Sequence, residues 1–146
     1  MLDGSKDARI AAFLDAAGEP FLPIDPNGRV PIYVLEPSTQ SRLLNVMIKD
    51  GWGHGWCSYF IAQSSLAEAC LHLGRYLTLR SAHGRPLTSR FWDSRILRVL
   101  VPLMQPEEAT SFFGPFARIV VEGETPDAAI EFALTPRGAR QQTVVL

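Results

Sequence analysis

His54, Cys57, Cys70 and His72 are of types that bind zinc, the first two at a usable His-x-x-Cys spacing. Cys70 and His72 fall two positions apart on a segment with helical signals. Their side chains therefore point about 200° apart, and one ion shared by the four is not expected. Cys57 or a serine could act as a nucleophile with a histidine and Asp15 or Asp93. However, Cys57 opens an apolar strand rather than a setting that favours a thiolate, and no Gly-x-Ser-x-Gly elbow occurs. Asp15 ends an apolar segment, where capping a turn is the commoner use of an aspartate. The glycine-rich stretch Gly51 to Gly55 could cradle a phosphate only if it led into a helix N-terminus. It leads instead into a strand, and no Gly-Lys-Ser/Thr ending follows. No catalytic residue, metal ligand or cofactor is expected, and the chain reads as a non-enzyme.

What remains is Arg90-Phe91-Trp92-Asp93-Ser94-Arg95, a run that alternates charge with aromatic bulk between a strand and a helix. Asp93 can cap the helix while Arg90 or Arg95 neutralises it with a forked, charge-assisted hydrogen bond. Phe91 and Trp92 point to opposite faces if both lie on the strand. The same run can be read as an internal clamp or as an Arg/Trp hot spot for a protein partner.

The elements that position these residues are short, because Gly and Pro punctuate the chain densely. Arg9 to Ala17 is open between a helix, by Ala and Leu propensity, and a short buried strand. Val30 to Leu35 reads as a strand. Ser38 can cap a helix with Leu43, Leu44, Met47 and Ile48 on one face, and Gly51 is placed to end it in a left-handed conformation. Cys57 to Ala62 is a strand. Ser65-Leu66-Ala67-Glu68 has the spacing of a capping box, and Leu66, Cys70 and Leu73 follow at i, i+4 and i+7. Leu77 to Ala82 and Leu87 to Trp92 form a hairpin around His83-Gly84. A helix with Ile96, Leu97 and Leu100 facing inward starts at Asp93 or Ser94 and is stopped or kinked by Pro102. Pro106 opens a second helix, with Glu107 and Glu108 at its positive end, and Phe113-Gly114-Pro115 closes it. Ile119 to Val121 and Ile130 to Leu134 are the last predicted strands, and pairing of the tail from Thr135 is left open. The expectation is a single α/β (α+β) domain over residues 1–146, with a mixed sheet of about five or six strands flanked by short helices.

Composition bounds the function. The sequence has 146 residues, 47% hydrophobic and 20% charged, which suits one globular domain with a real core. A net charge of −1 offers no general attraction to nucleic acid or anionic membrane. No apolar run nears the roughly 20 residues of a membrane helix, and the N-terminus lacks a signal-peptide pattern. A cytoplasmic protein is expected, its two cysteines behaving as small apolar thiols.

RFWDSRIL (Arg90 to Leu97) resembles the signature Arg-aromatic-aromatic-Asp-Pro-Arg-Val-Leu of the type VI secretion effector adaptors, the Tap or TEC chaperones, catalogued as a domain of unknown function. SLAEACLHLGRYLTL is similar to that family's helix with His-Leu-x-Arg, here His72, Leu73 and Arg75. GWGHGW resembles its Trp-Gly segment, and SFFGP (Ser111 to Pro115) its aromatic-Phe-Gly-Pro. AFLDAA (Ala12 to Ala17) is similar to its opening strand, which favours strand for the open first segment. The resemblance spans Ile10 to Val121. Ser94 stands where the family has Pro, and many members carry a further C-terminal lobe. The resemblance implies a chaperone that binds a toxin effector and loads it onto the VgrG spike, with no cofactor. Arg90, Trp92, Asp93, Arg95, Trp52, Trp56, Gly114 and Pro115 are the signature or partner-binding candidates. The alternative functions are a binding or self-associating module unrelated to secretion, or a small hydrolase.

Overall fold

Alternation along two long strands builds the main sheet. In β7 (Phe116–Glu122) and β8 (Ala128–Thr135), Ile119 pairs with Phe132 and Val121 with Ile130, and all four side chains are buried on one face. A computed structural model describes residues 1–146. It adds β9 (Gly138–Val145), in register with β8 over its whole length, and β4 (Tyr59–Ala62) on the other side of β7, in the order β4-β7-β8-β9. The tail is thus a strand, an outcome its polar sequence left open. A second sheet joins β1 (Leu2–Asp3), β3 (Ile32–Leu35) and β2 (Phe21–Pro23) in the order β1-β3-β2. The expected hairpin forms from β5 (Thr78–Arg80) and β6 (Pro86–Thr88), with Gly84 in its turn at φ 75°. The chain is a single α+β domain of five helices and nine strands. Its strands are divided among three sheets, and every strand pair is antiparallel rather than mixed.

The first segment is α1 (Arg9–Ala17), not the strand that its likeness to an opening strand favoured. Ile10 and Leu14, one turn apart, are its buried residues, and Gly18 ends it at φ 64°. Helix propensity and an i, i+4 apolar pair prevail over the short run's strand-like look. Next comes α2 (Arg42–Lys49), capped by Ser41 rather than Ser38: the Ser41 hydroxyl accepts from the Leu44 amide at 3.0 Å. Gly51 is not its left-handed cap, since Asp50 closes the helix with right-handed dihedrals. Gly51 serves close approach instead, because a Cβ there would sit 3.0 Å from the Trp56 ring.

The capping box predicted at Ser65 and Glu68 opens α3 (Leu66–Gly74) with both reciprocal bonds present. Pro102 lies inside α4 (Ser94–Leu103), which runs one residue beyond it. Pro106 is the first residue of α5 (Pro106–Phe113). No helix is long and apolar enough to cross a membrane.

Two apolar clusters result. The larger packs α4 and α5 on the main sheet around Phe91, Leu97, Phe113, Ile119 and Phe132, and continues to Ile32 and Val34 of the second sheet, on which α3 lies with Ala69 and Leu73. The smaller lies among α1, α2 and β1, with Trp56, Leu2, Ile10, Leu14, Leu43 and Met47. The two sheets meet where Leu2 bridges Cys57 and Met1 exchanges backbone bonds with Ser58, at 2.7 and 3.0 Å. Because Trp56 fills the centre of the smaller cluster, Trp56→Ala should lower unfolding free energy by about 3–5 kcal/mol in urea denaturation. A loss under 1 kcal/mol would show that the cluster closes over the gap.

Candidate functional site

The strongest polar cluster grows from the junction ahead of α4. Asp93 accepts the Arg95 amide at 3.0 Å and so caps the helix; the Arg95 guanidinium returns to both carboxylate oxygens at 2.9 and 2.7 Å. Lys6 and Arg90 each stand 3.7 Å from the same carboxylate. Asp93 is only 2% exposed, while Arg90 and Arg95 are 54% and 67% exposed. Hydrogen bonds from the Arg95 side chain outweigh the opposing effect of burial and hold the Asp93 carboxyl down to about 2.

The aromatic pair of this run is structural. Phe91 and Trp92 lie in a turn, not on a strand, and both are buried, with their rings edge to face at 5.6 Å. Trp92 donates its indole N–H to Asp3 at 3.0 Å, and its carbonyl accepts the Ser58 hydroxyl at 2.7 Å. Burial also removes Trp56 from any partner's reach. Trp52 is half-buried and donates to the Pro126 carbonyl at 3.0 Å, pinning the β7–β8 turn. Of the candidate hot-spot residues, Arg90 and Arg95 offer charge at the surface and Trp52 part of a ring.

The loop carrying Trp52 and Trp56 closes a polar cleft of about 250 Å³ against this cluster, lined by Lys6, His54, Arg95, Arg98 and Glu122 among others. Glu122 is buried, accepts the Gly55 amide at 3.0 Å, and has its carboxyl pushed up by burial. Arg98 donates to the carbonyls of Glu122 and Gly123. A carboxylate thus fixes the glycine-rich loop, which carries no phosphate-type cradle.

Two other segments singled out in the sequence meet at a distance. The His72 ring lies 2.9 Å from the Phe112 carbonyl through Nε2, and Tyr76 donates to the Ser111 carbonyl at 2.7 Å. Gly114, at φ 50°, lies so close to the His72 ring that a Cβ there would collide with it. Half-buried Pro115 then leads into β7.

The residues weighed for chemistry stay apart. Cys57 is buried, and burial pushes its thiol up to about 12, away from nucleophile behaviour. The Cys70 thiol approaches the Pro23 carbonyl at 3.6 Å, His54 is exposed on its loop, and Asp15 is exposed on α1. No group of three or more His, Cys, Asp and Glu side chains is placed to hold a metal ion. Asp3, Lys6, Ser58 and Glu122, which complete the polar junction, were not singled out from the sequence. Only Asp3-Gly4-Ser5 carries a local signal, that of a turn.

A family model described as a domain of unknown function (DUF4123) matches residues 23–111, more than half of the chain. No curated protein and no solved structure matches it.

Asp93→Asn should destabilise the fold at neutral pH by about 1.5–3 kcal/mol, the range for hydrogen bonds to a charged group. The folded carboxyl at about 2 lies below its unfolded value near 3.9, so its contribution is present above about pH 4. It is lost as pH falls towards 2, and thermal melts of wild type and Asp93→Asn should converge there. A gap independent of pH would refute the charge's role. Gly114→Ala should lower the melting temperature by several degrees and displace the His72 ring signals in NMR spectra, whereas unchanged His72 shifts would refute the contact.

Proposed function

The chain belongs to the DUF4123 family, and from that premise we propose that it is an adaptor that binds a toxin effector and loads it onto the VgrG spike of a type VI secretion system. The ordered resemblance of the Arg90 to Leu97, His72 to Arg75 and Ser111 to Pro115 segments to effector adaptors supports this reading. The observation that carries it is the outer face of α4, the helix that leaves the signature run. Leu97 and Val101 bury one side of α4, while Ile96 and Leu100, expected to face inward with Leu97, lie instead with Val99 and Leu103 in a second, exposed apolar stripe at i, i+3, i+4 and i+7. Val99 is 64% and Leu103 71% exposed. A helix apolar on both sides belongs in an interior or against a partner. The stripe continues into an apolar groove of about 510 Å³ lined by Tyr76, Leu79, Leu100 and Met104. Arg90 and Arg95 stand at its start as charged anchors of the kind that dominate protein interfaces.

Nothing in this arrangement needs a cofactor or a reacting side chain; binding would rest on surface complementarity. Affinity purification of the tagged protein from cells expressing neighbouring secretion genes should recover a spike protein together with a toxin-like protein. Val99→Asp with Leu103→Asp should abolish recovery of at least one of them without changing the melting temperature. Recovery of neither by the wild type would sink the adaptor reading.

A further inference from the structure

A slot in the sheet lies between β3 and β4. β1 is antiparallel to β3, with Leu2 opposite Tyr33, and Leu2 also bridges Cys57 in an antiparallel sense just ahead of β4. β1 therefore sits between the two and spans only the first part of their length. Beyond Met1 the space continues as a cleft of about 250 Å³, bounded by Val34 to Pro37 on one side and Tyr59 to Ala62 on the other. Two strands flanking a third stand about 9.5–10 Å apart, twice the spacing of paired strands, which is the width one further strand segment requires.

Both walls present backbone groups to the slot. Ser58 exchanges both of its bonds with Met1, so by the two-residue alternation Phe60 turns its N–H and C=O to the same side. On the other wall the Pro31 carbonyl accepts from Gly4, which turns Tyr33 and Leu35 towards the β1 side as well. The surroundings are apolar, including Met47, Leu66, Leu73 and Phe116, and the Ser64 hydroxyl there is buried without a partner. Glu36 is the one charged side chain in the lining, and the Met1 ammonium, bonded to the Ser58 carbonyl, lies at the end next to β1.

We propose that this slot accepts an extended strand of a partner protein, with apolar side chains at alternate positions, inserted in line with β1. The donor would join the two sheets along their length into one antiparallel sheet ordered β2-β3-donor-β4-β7-β8-β9, with β1 continuing the donor's row. Main-chain bonds to both walls supply affinity, and the apolar lining selects the side chains. For the identity of the donor this rests on the adaptor reading. An adaptor engages two proteins, and the slot shares no lining residue with the groove beside α4.

The test uses the whole chain and a capped peptide of alternating valine and threonine, read by residue-resolved amide hydrogen exchange. Saturating peptide should slow exchange at Leu35 and Phe60 by at least about tenfold. A peptide N-methylated at alternate residues should give no protection. The other long edge, β9, is an internal control: protection at Arg140 to Val144 instead of at Phe60 would overturn the proposal. Absence of protection at millimolar peptide would also overturn it, as would protection of Leu35 and Phe60 in the protein before any peptide is added. The adaptor reading fails separately, by loss of spike and effector recovery, and survives an empty slot if its partners use α4 alone.

Discussion

A single buried carboxylate organises the region from which most of the surface follows. Asp93 has to remain ionised to cap α4, and a lone charge at its depth would be costly. Arg95, Lys6 and Arg90 surround it, so one negative charge is met from both the helix that it caps and the segment after β1. Asp3, on β1, accepts the indole N–H of the neighbouring Trp92 and fixes it. The first residues of the chain are thereby held against a junction some ninety residues later, and Trp92 and Phe91 are kept inward while the arginines stay at the surface.

That junction sits where the two apolar clusters meet. The larger cluster is held by layers of helix on sheet, with Phe91 between the aromatic rings of Tyr76, Phe112 and Trp92. The smaller one depends on Trp56, whose loop is pulled inward by Gly51 beneath the ring and by Glu122 on the Gly55 amide. The larger cluster itself draws on both sheets, Ile32 and Val34 of β3 together with Phe116 and Ile119 of β7, and the strand slot opens between β3 and β4 beside it.

For the adaptor reading the consequence is a division of labour. The residues that most resemble the family signature hold the fold, and under that proposal the surface they create would do the binding. The outer face of α4 is oriented by Asp93, and the slot is oriented by the same N-terminal segment that reaches Trp92. Sequence similarity in such a run reports a shared scaffold, and under the proposed adaptor function partner choice would reside in exposed positions such as Val99 and Leu103.

Local physical chemistry determined much of the chain from the sequence alone. The capping box at Ser65, the cap at Asp93, Pro106 at a helix start and the turn at Gly84 each involve residues within a few positions, so neighbouring residues specify them. Where local signals competed, the tertiary structure decided. Arg9 to Ala17 became a helix because Ile10 and Leu14 had a core to face, and the polar tail became a strand because β8 offered a full ladder. Gly51 and Gly114 read as helix terminators, yet Gly51 makes room for the Trp56 ring and Gly114, which does end α5, also for that of His72, and no spacing rule could reveal those neighbours. The partition of strands into three antiparallel sheets, the convergence of Lys6, Arg95 and Glu122 on one cleft, and the exposure of the second apolar face of α4 all depend on long-range packing. Pairing energies between distant segments are set by geometry that exists only once the chain has folded.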